Sequence, residues 1–377
     1  MNFEKEYPHA TTITLEMNYR STKTILEAAN AVIEKNTVRR KKVLKTDSDY
    51  GEKIAMIVSY TEQDEARNVA DLSRTIIDKG TSAKEVAVLY RANFQSRAIE
   101  EYFIKKNIPY QLVGTKFFER KEVKDVLAYI RAALNRDSWA DIARILNVPA
   151  RGVGKATLAK ILAGQKDTLP TAMQAKLSNF WKLLDDIKTE VTTKKTSESV
   201  KFVMQESGIE KMLRDGDSPD EERLLNVQEL VSVAKQYDDM DPETGIENLL
   251  SNASLASDQD DLEKSENAVK LMTVHAAKGL EFDYVFIVGL EENLFPFKHQ
   301  DDADMSKADE EEERRLFYVA ITRARKKLYL SYTMLRTIFG NQRVSEPSEF
   351  LADIDNKLIE SNEPDKPSGA KAIFIDF

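Results

Sequence analysis

Residues 311–333, EEERRLFYVAITRARKKLYLSYT, put two arginines, Arg323 and Arg325, into a short turn between two amphipathic elements. An arginine is charged at every physiological pH, is planar, and can contact two oxygens at once, which suits it to a polyphosphate. The elements that must position the turn are legible on either side. A helix carries an apolar stripe at Leu316, Phe317, Val319 and Ala320, and residues 327–332 alternate as a strand does. The turn is therefore pinned at a layer edge, where α/β folds place ligand contacts. The same residues would equally make a structural helix–strand joint with solvated arginines.

Three further stretches place chemistry-bearing residues at element ends. LEMNYRS, 15–21, sets Tyr19 and Arg20 beside a helix N-terminus, which itself favours anions. A ring that stacks a base beside a guanidinium that meets a phosphate would seat a nucleotide. A buried tyrosine with a salt bridge near the cap is the plainer reading. LYRANFQSRAIEE, 89–101, brings Arg91, Asn93, Gln95 and Ser96 to a strand end, where polar residues serve ligands or cap helices. MTVHAAKGLEFDYVFIVGL, 272–290, delivers Thr273 and His275 into a loop of small residues with Lys278, Gly279 and Glu281. Gly279 allows backbone to approach a phosphate or ribose, and Glu281 can accept from sugar hydroxyls.

These segments sit in an alternating pattern. A strand over 11–15 precedes a helix over 22–36 with Ser21 or Thr22 as its cap. Strands over 54–60 and 85–91 each lead into a helix, 62–79 and 95–106, and a strand over 108–114 follows. Strands alternating with helices predict a parallel sheet covered on both faces. From about 118 to 265 only helical periodicity is found, ending in a polar, acidic stretch, 251–267, that reads as a linker. Strand patterns return after it. The expected architecture is an α/β domain, 1–117 and 266–377, interrupted by an all-helical domain, 118–265. Trp139 and Trp181 fall at helical spacing and are expected in the core.

The chain has 377 residues, 42% hydrophobic and 32% charged, with no cysteine and a net charge of −9. Disulfides and cysteine metal sites are excluded, and three histidines make a histidine-rich zinc site poor chemistry. No apolar run reaches the ~18 residues that cross a membrane, and the first residues lack the apolar core of a signal peptide. A bacterial cytoplasmic location is expected. The acidic balance opposes bulk attraction to nucleic acid but leaves room for a local basic groove. The acids are expected in loops such as 301–304 and 309–311.

Taken together, the four segments resemble superfamily 1 DNA helicases of the UvrD/Rep type. LEMNYRS looks like motif IV, LYRANFQSR like motif IVa, LMTVHAAKGLEFDYVFIVGLEENLFP like motif V, and EEERRLFYVAITRAR like motif VI. Their order and spacing fit, over essentially the whole chain. Met17 departs from the glutamine usual in motif IV. The resemblance implies a second RecA-like domain (2A) interrupted by a helical insertion (2B). By it, Tyr19 would stack on adenine, Arg20 and Arg323 would contact the γ-phosphate of ATP, Glu281 would hold the ribose, and Gly279 would lie near the phosphates. Thr273, His275, Arg91, Asn93 and a base-stacking Phe339 would line a single-stranded DNA track. VPARGVGKATLAKI, 148–161, matches a helix–hairpin–helix turn in which Gly152, Gly154, Arg151 and Lys155 would meet a duplex phosphate at a junction, although an ordinary helix–helix turn needs the same glycines.

No GxxxxGK[ST] phosphate loop is found. The string at 152–156 ends in alanine, has Pro149 where the first glycine belongs, and follows no strand. VFIVGLEE, 285–292, lacks the paired acids of a magnesium site. The Mg2+ ligands, the phosphate lysine and the catalytic carboxylate are therefore expected on an N-terminal RecA-like domain, the implied partner. The expected role is the C-terminal part of an ATP-dependent, 3′–5′ DNA helicase acting in repair or replication, silent as an ATPase alone. A non-catalytic DNA-binding adaptor or regulatory fragment is the alternative.

Overall fold

The computed structural model describes residues 7, 9, 11, 13, 16–38, 44–258, 266–298 and 305–362. Its first third alternates helix and strand: α1 (Lys23–Glu34), β1 (Ile54–Ser59), α2 (Glu62–Asp78), β2 (Val86–Tyr90), α3 (Ser96–Lys105) and β3 (Tyr110–Leu112). Each boundary has a local cause. Thr61 and Asp64 cap one another's backbone N–H groups to open α2, and Gly80, at φ +97°, lets the chain leave it.

Eight helices follow without a strand: α4 (Lys121–Leu134), α5 (Trp139–Ile145), α6 (Lys155–Leu162), α7 (Thr171–Thr193), α8 (Thr196–Glu206), α9 (Ile209–Arg214), α10 (Ser218–Lys235) and α11 (Pro242–Asp258). The chain then makes β4 (Val269–Thr273), β5 (Phe282–Ile287), α12 (Lys307–Ile321) and β6 (Ala324–Thr333). A hairpin of β7 (Leu335–Ile338) and β8 (Asn341–Val344) comes next, and a last strand, β9 (Ile359–Asn362), ends the described chain.

Seven strands form one parallel sheet in the order β3-β4-β2-β5-β6-β1-β9. Every residue of β2 is buried, as a central strand covered on both faces requires. Successive β2 side chains enter different cores. Ala87 and Leu89 join α1 and α12 through Ile25, Ala29, Phe317 and Ala320. Val86 and Val88 join α2 and α3 through Val69, Ala70, Ile99 and Phe103. A separate cluster built from α4 to α11 fills the helical part, running from Phe117 to Ala253. The architecture is thus an α/β, RecA-like parallel sheet with an inserted all-helical module.

Several expectations need correction. Residues 251–258 are the last two turns of α11 rather than linker, with Leu249 and Ala253 facing the core and Ser251 and Ser254 exposed, while residues 259–265 of the expected linker lie outside the described ones. Asp309, Glu310 and Glu311 lie inside α12, not a loop. Glu311 is buried and accepts from the backbone of Thr37 and Val38. Trp139 is not core but 39% exposed, while Trp181 is half-buried against Phe180 and under Arg136. Thr11 and Ile13 belong to no strand, and residues 12, 14 and 15, with His299 and 301–304, lie outside the described ones. Among the described residues no helix is long and apolar enough to cross a membrane.

Candidate functional site

The two arginines of the outer motifs meet at the edge of the sheet where β5 and β6 begin. The turn before α1 is tied there by Ser21, whose Oγ donates to the Ala324 carbonyl at 2.6 Å, and by Thr22 N–H, which donates to Arg325 O at 3.2 Å. Asn18 Oδ1 accepts from the N–H groups of Arg20 and Ser21 and shapes the turn. Arg20 then donates from Nε to Glu281 at 2.5 Å and from Nη1 to the Thr322 carbonyl at 3.2 Å. Arg323 donates to Val319 O at 2.9 Å, to Leu280 O at 3.0 Å and to Thr322 Oγ1 at 3.0 Å. Burial, and then the neighbouring Arg20, pull the Arg323 guanidinium below its ordinary pKa. Two cations fixed this way at one edge lack a full complement of negative charge, which is the electrostatic requirement for an anion site.

Glu281 lies between Arg20 and Arg325, the latter at 3.4 Å, and the hydrogen bond from Arg20 holds its carboxyl below the usual range. Arg325 is itself held by Asp283 at 2.7 Å and by Glu85, so it is a structural partner rather than a free phosphate ligand. Tyr19 is 85% exposed, an open ring beside Arg20. Gly279 has φ +93°, and no atom lies within 4 Å of where a Cβ would stand, so backbone there is open to a ligand. The residues fit a nucleotide's base and phosphates. Among the described residues no group of three or more His, Asp or Glu is placed to hold a metal ion.

The middle motifs occupy the opposite, carboxyl edge. Thr273 ends β4, His275 follows it, and Arg91 and Asn93 follow β2. Both of the latter are engaged by acids. Arg91 makes a two-pronged pair with Glu313 at 2.7–2.9 Å and lies 5.3 Å over the Phe297 ring. Asn93 donates to Glu222 of α10 at 2.9 Å. Burial, then Arg91, lowers the His275 pKa below 6.5. Phe339 follows β7 in a left-handed conformation, φ +54°, its ring 6.0 Å from that of Phe94. Residues 274–281 run from this edge back to the arginine edge without a helix, joining His275 to Glu281 by a few residues of loop. The Arg323 turn thus lies at a layer edge, as its two amphipathic neighbours predict, and that edge is the one at the strands' amino ends.

In the insertion, Gly152 has φ +75° and Gly154 caps α6, and both are exposed. Arg151 is the exception to the expected phosphate clamp. Its guanidinium turns inward, donating to the carbonyls of Ile145, Val148, Pro149 and Ser207 and to the Tyr129 hydroxyl at 2.7–3.3 Å. Lys155 opens α6, and its side chain lies outside the described residues.

Comparison with known proteins decides the family. The UvrD-like helicase C-terminal domain matches residues 13–334. The chain belongs to this family. ATP-dependent DNA helicase PcrA of Staphylococcus aureus (strain Mu50) is 41% identical over 97% of this chain and 52% of its own length. PcrA of Leuconostoc citreum is 40% identical over 96% and 51%. The chain thus spans about half the length of the curated relatives it matches. The crystal structure of the C-terminal domain of a possible DNA helicase from Lactobacillus plantarum superposes over 92% of this chain and 99% of that one. Its TM-score is 0.37 at 12% identity, too low to carry the fold.

Within this UvrD-like domain, sequence reading missed the residues that act through others. Glu313 and Glu222 hold Arg91 and Asn93, and Arg325, read from the sequence as a turn arginine, lies in β6 and backs Glu281 instead. Arg336 is buried between Glu65 and Glu291 at 2.6–2.7 Å and anchors the hairpin that carries Phe339. A hairpin signal was present in Gly340, which with Phe339 makes the two-residue turn between β7 and β8.

Proposed function

We propose that this UvrD-like domain supplies the arginine and base-contacting side of an ATP site, and part of a single-stranded DNA track, in an ATP-dependent 3′–5′ DNA helicase. Arg20 and Arg323 contact the γ-phosphate, Tyr19 stacks the adenine, Glu281 takes the ribose and Gly279 lies along the phosphates. Mg2+ and the attacking water are positioned by a second RecA-like domain. The observation that carries the reading is the convergence of Arg20, Glu281 and Arg323 at one sheet edge, from three distant segments. An arginine finger stabilises transition-state charge and is worth roughly 10³–10⁵ in rate.

On the other edge, Thr273, His275 and Phe339 contact single-stranded DNA, beside Asn93, whose amide donates to Glu222. Base stacking of the Phe339 kind is worth roughly 1–3 kcal/mol per base. Gly152 and Gly154 meet the duplex phosphate at a single-strand/double-strand junction through their exposed backbone, while the Val153 N–H between them is taken by Asn147 Oδ1. The test is ATP hydrolysis, with and without a single-stranded oligonucleotide, by this chain alone and mixed with the N-terminal RecA-like domain of a PcrA relative. Silence alone and DNA-stimulated turnover in the mixture is expected. Silence in both, with the pieces shown to associate, would leave a DNA-binding adaptor.

A further inference from the structure

The base-contacting ring is not held by the sheet domain alone. Phe339 and Gly340 form the tip of the β7–β8 hairpin, and that tip lies against α10 of the helical insertion. Gly340 N–H donates to Ser232 Oγ at 3.0 Å, and Lys235 Nζ donates to the Gly340 carbonyl at 2.6 Å. Both polar groups of one peptide segment are thus taken by a single helical turn. The approach is tight: a Cβ on Gly340 would stand 2.8 Å from Val231 Cγ1, at φ +75°, so only glycine fits. The ring's neighbour Phe94 packs with Leu225, again from α10. At its root the hairpin is fixed to the sheet by buried Arg336. An exposed two-stranded hairpin has little stability of its own, so its tip stands where these outside contacts put it.

We infer that Ser232 and Lys235 are positioning residues for Phe339: the insertion sets the ring that meets the DNA base, and releasing the α10 clasp releases the ring. This rests on the proposed role of Phe339 as a base contact. The physical content is pre-organisation, since a ring already held in place loses less freedom when a base stacks on it. It also makes base contact depend on how the insertion sits against the sheet.

The test uses the full 377-residue chain carrying Ser232→Ala with Lys235→Ala. Alanine keeps α10 helical, so the fold is retained. Hydrogen exchange over 335–344 reads the clasp directly, and anisotropy of a labelled oligo-dT reads its consequence. Faster exchange in the hairpin and roughly fivefold weaker binding are expected, the scale of losing one or two hydrogen bonds that order the site. In a Phe339→Ala background the clasp substitutions should add nothing, because they act through the ring. The salt dependence of binding should stay unchanged, because no phosphate contact is removed. Unchanged exchange and affinity would overturn the inference. A loss that persists without Phe339, with a shallower salt slope, would overturn it too, by making Lys235 a direct phosphate contact. If Phe339→Ala alone leaves binding untouched, the base-contact reading itself falls and the DNA role of the clasp with it, whatever the exchange data show.

Discussion

Arg20 and Arg323 come from opposite ends of the chain and share one threonine: Arg20 donates to the Thr322 carbonyl, and Arg323 to the Thr322 hydroxyl. Neither guanidinium is free to swing. Their forks are held by backbone carbonyls, the Thr322 hydroxyl and Glu281 before any ligand arrives, so an anion that met them there would order them at little further cost. The cost is burial first and then the like charge of Arg20, which together pull the Arg323 guanidinium below its ordinary pKa. An anion at this edge relieves it.

Replacing either arginine by alanine should therefore remove DNA-stimulated turnover in the assembled enzyme by roughly 10³-fold or more, with the fold intact. Arg323→Lys should fare little better. A lysine is a point charge that cannot reach the Val319, Leu280 and Thr322 acceptors together. Steady-state ATP hydrolysis alongside thermal unfolding checks this. Turnover retained in Arg323→Ala would sink the assignment.

Glu281 provides a test that needs no partner domain. Its carboxyl titrates below 4.5 because Arg20 donates to it. A depressed folded pKa means the pair's contribution is present above the unfolded value and is lost as pH falls through the folded one. Carboxyl-detected NMR should place Glu281 below its ordinary range, and Arg20→Ala should bring it back up. A Glu281 that titrates normally in the unmodified chain would show that the pair does not form in solution.

His275 behaves with the opposite charge logic. Burial and Arg91 lower its pKa, with Glu313, Glu222 and Glu312 opposing them, so it is neutral at pH 7. Its contribution to stability is complete above the unfolded value near 6.5 and is lost as pH falls through the folded one. A DNA phosphate beside the ring would favour the protonated form. Affinity for single-stranded DNA should then rise as pH drops through that window, and His275→Asn should flatten the profile. A pH-independent affinity in the unmodified chain would remove His275 from the track.

What the sequence made legible follows from what periodicity encodes. The apolar runs of β1, β2 and β5 and the stripes of α2 and α12 specify burial, and burial specifies the sheet. Arg20, Glu281 and Arg323 were found because short motifs keep them beside element ends. The misses have another origin. Nothing local shows that Arg91 will meet Glu313 or that Arg151 will turn inward, because those partners are set by tertiary packing. The outer half of α11 looked like linker because an exposed helix face and a polar loop have the same composition. The strand β9 is short and three of its four residues are polar, as an edge strand often is, and periodicity has little to read in it.

Arg336 should be worth more to stability than any exposed charge. It is buried with Glu65 and Glu291, which also accept from Gly289, Ser331 and Thr333. Arg336→Met leaves two buried carboxylates facing one another without their cation, a change that typically costs about 3–5 kcal/mol. Urea unfolding should show a lower midpoint. A change under about 1 kcal/mol, the range of surface pairs, would mean water reaches the triad.

Arg151 separates a structural arginine from a DNA-binding one. Its side chain ties together the carbonyls at the end of α5, the Tyr129 hydroxyl and Ser207, so it braces the glycine turn from inside. Arg151→Ala strips donors from several partly buried carbonyls, and at roughly 1–3 kcal/mol per unsatisfied group the loss should be at least about 2 kcal/mol. Duplex binding should keep its salt slope, because the guanidinium faces the protein. Were Arg151 a phosphate ligand, its removal would lower the slope by about 0.9 while costing little stability. Measuring both quantities on the same variant distinguishes the two roles, since each predicts a change where the other predicts none.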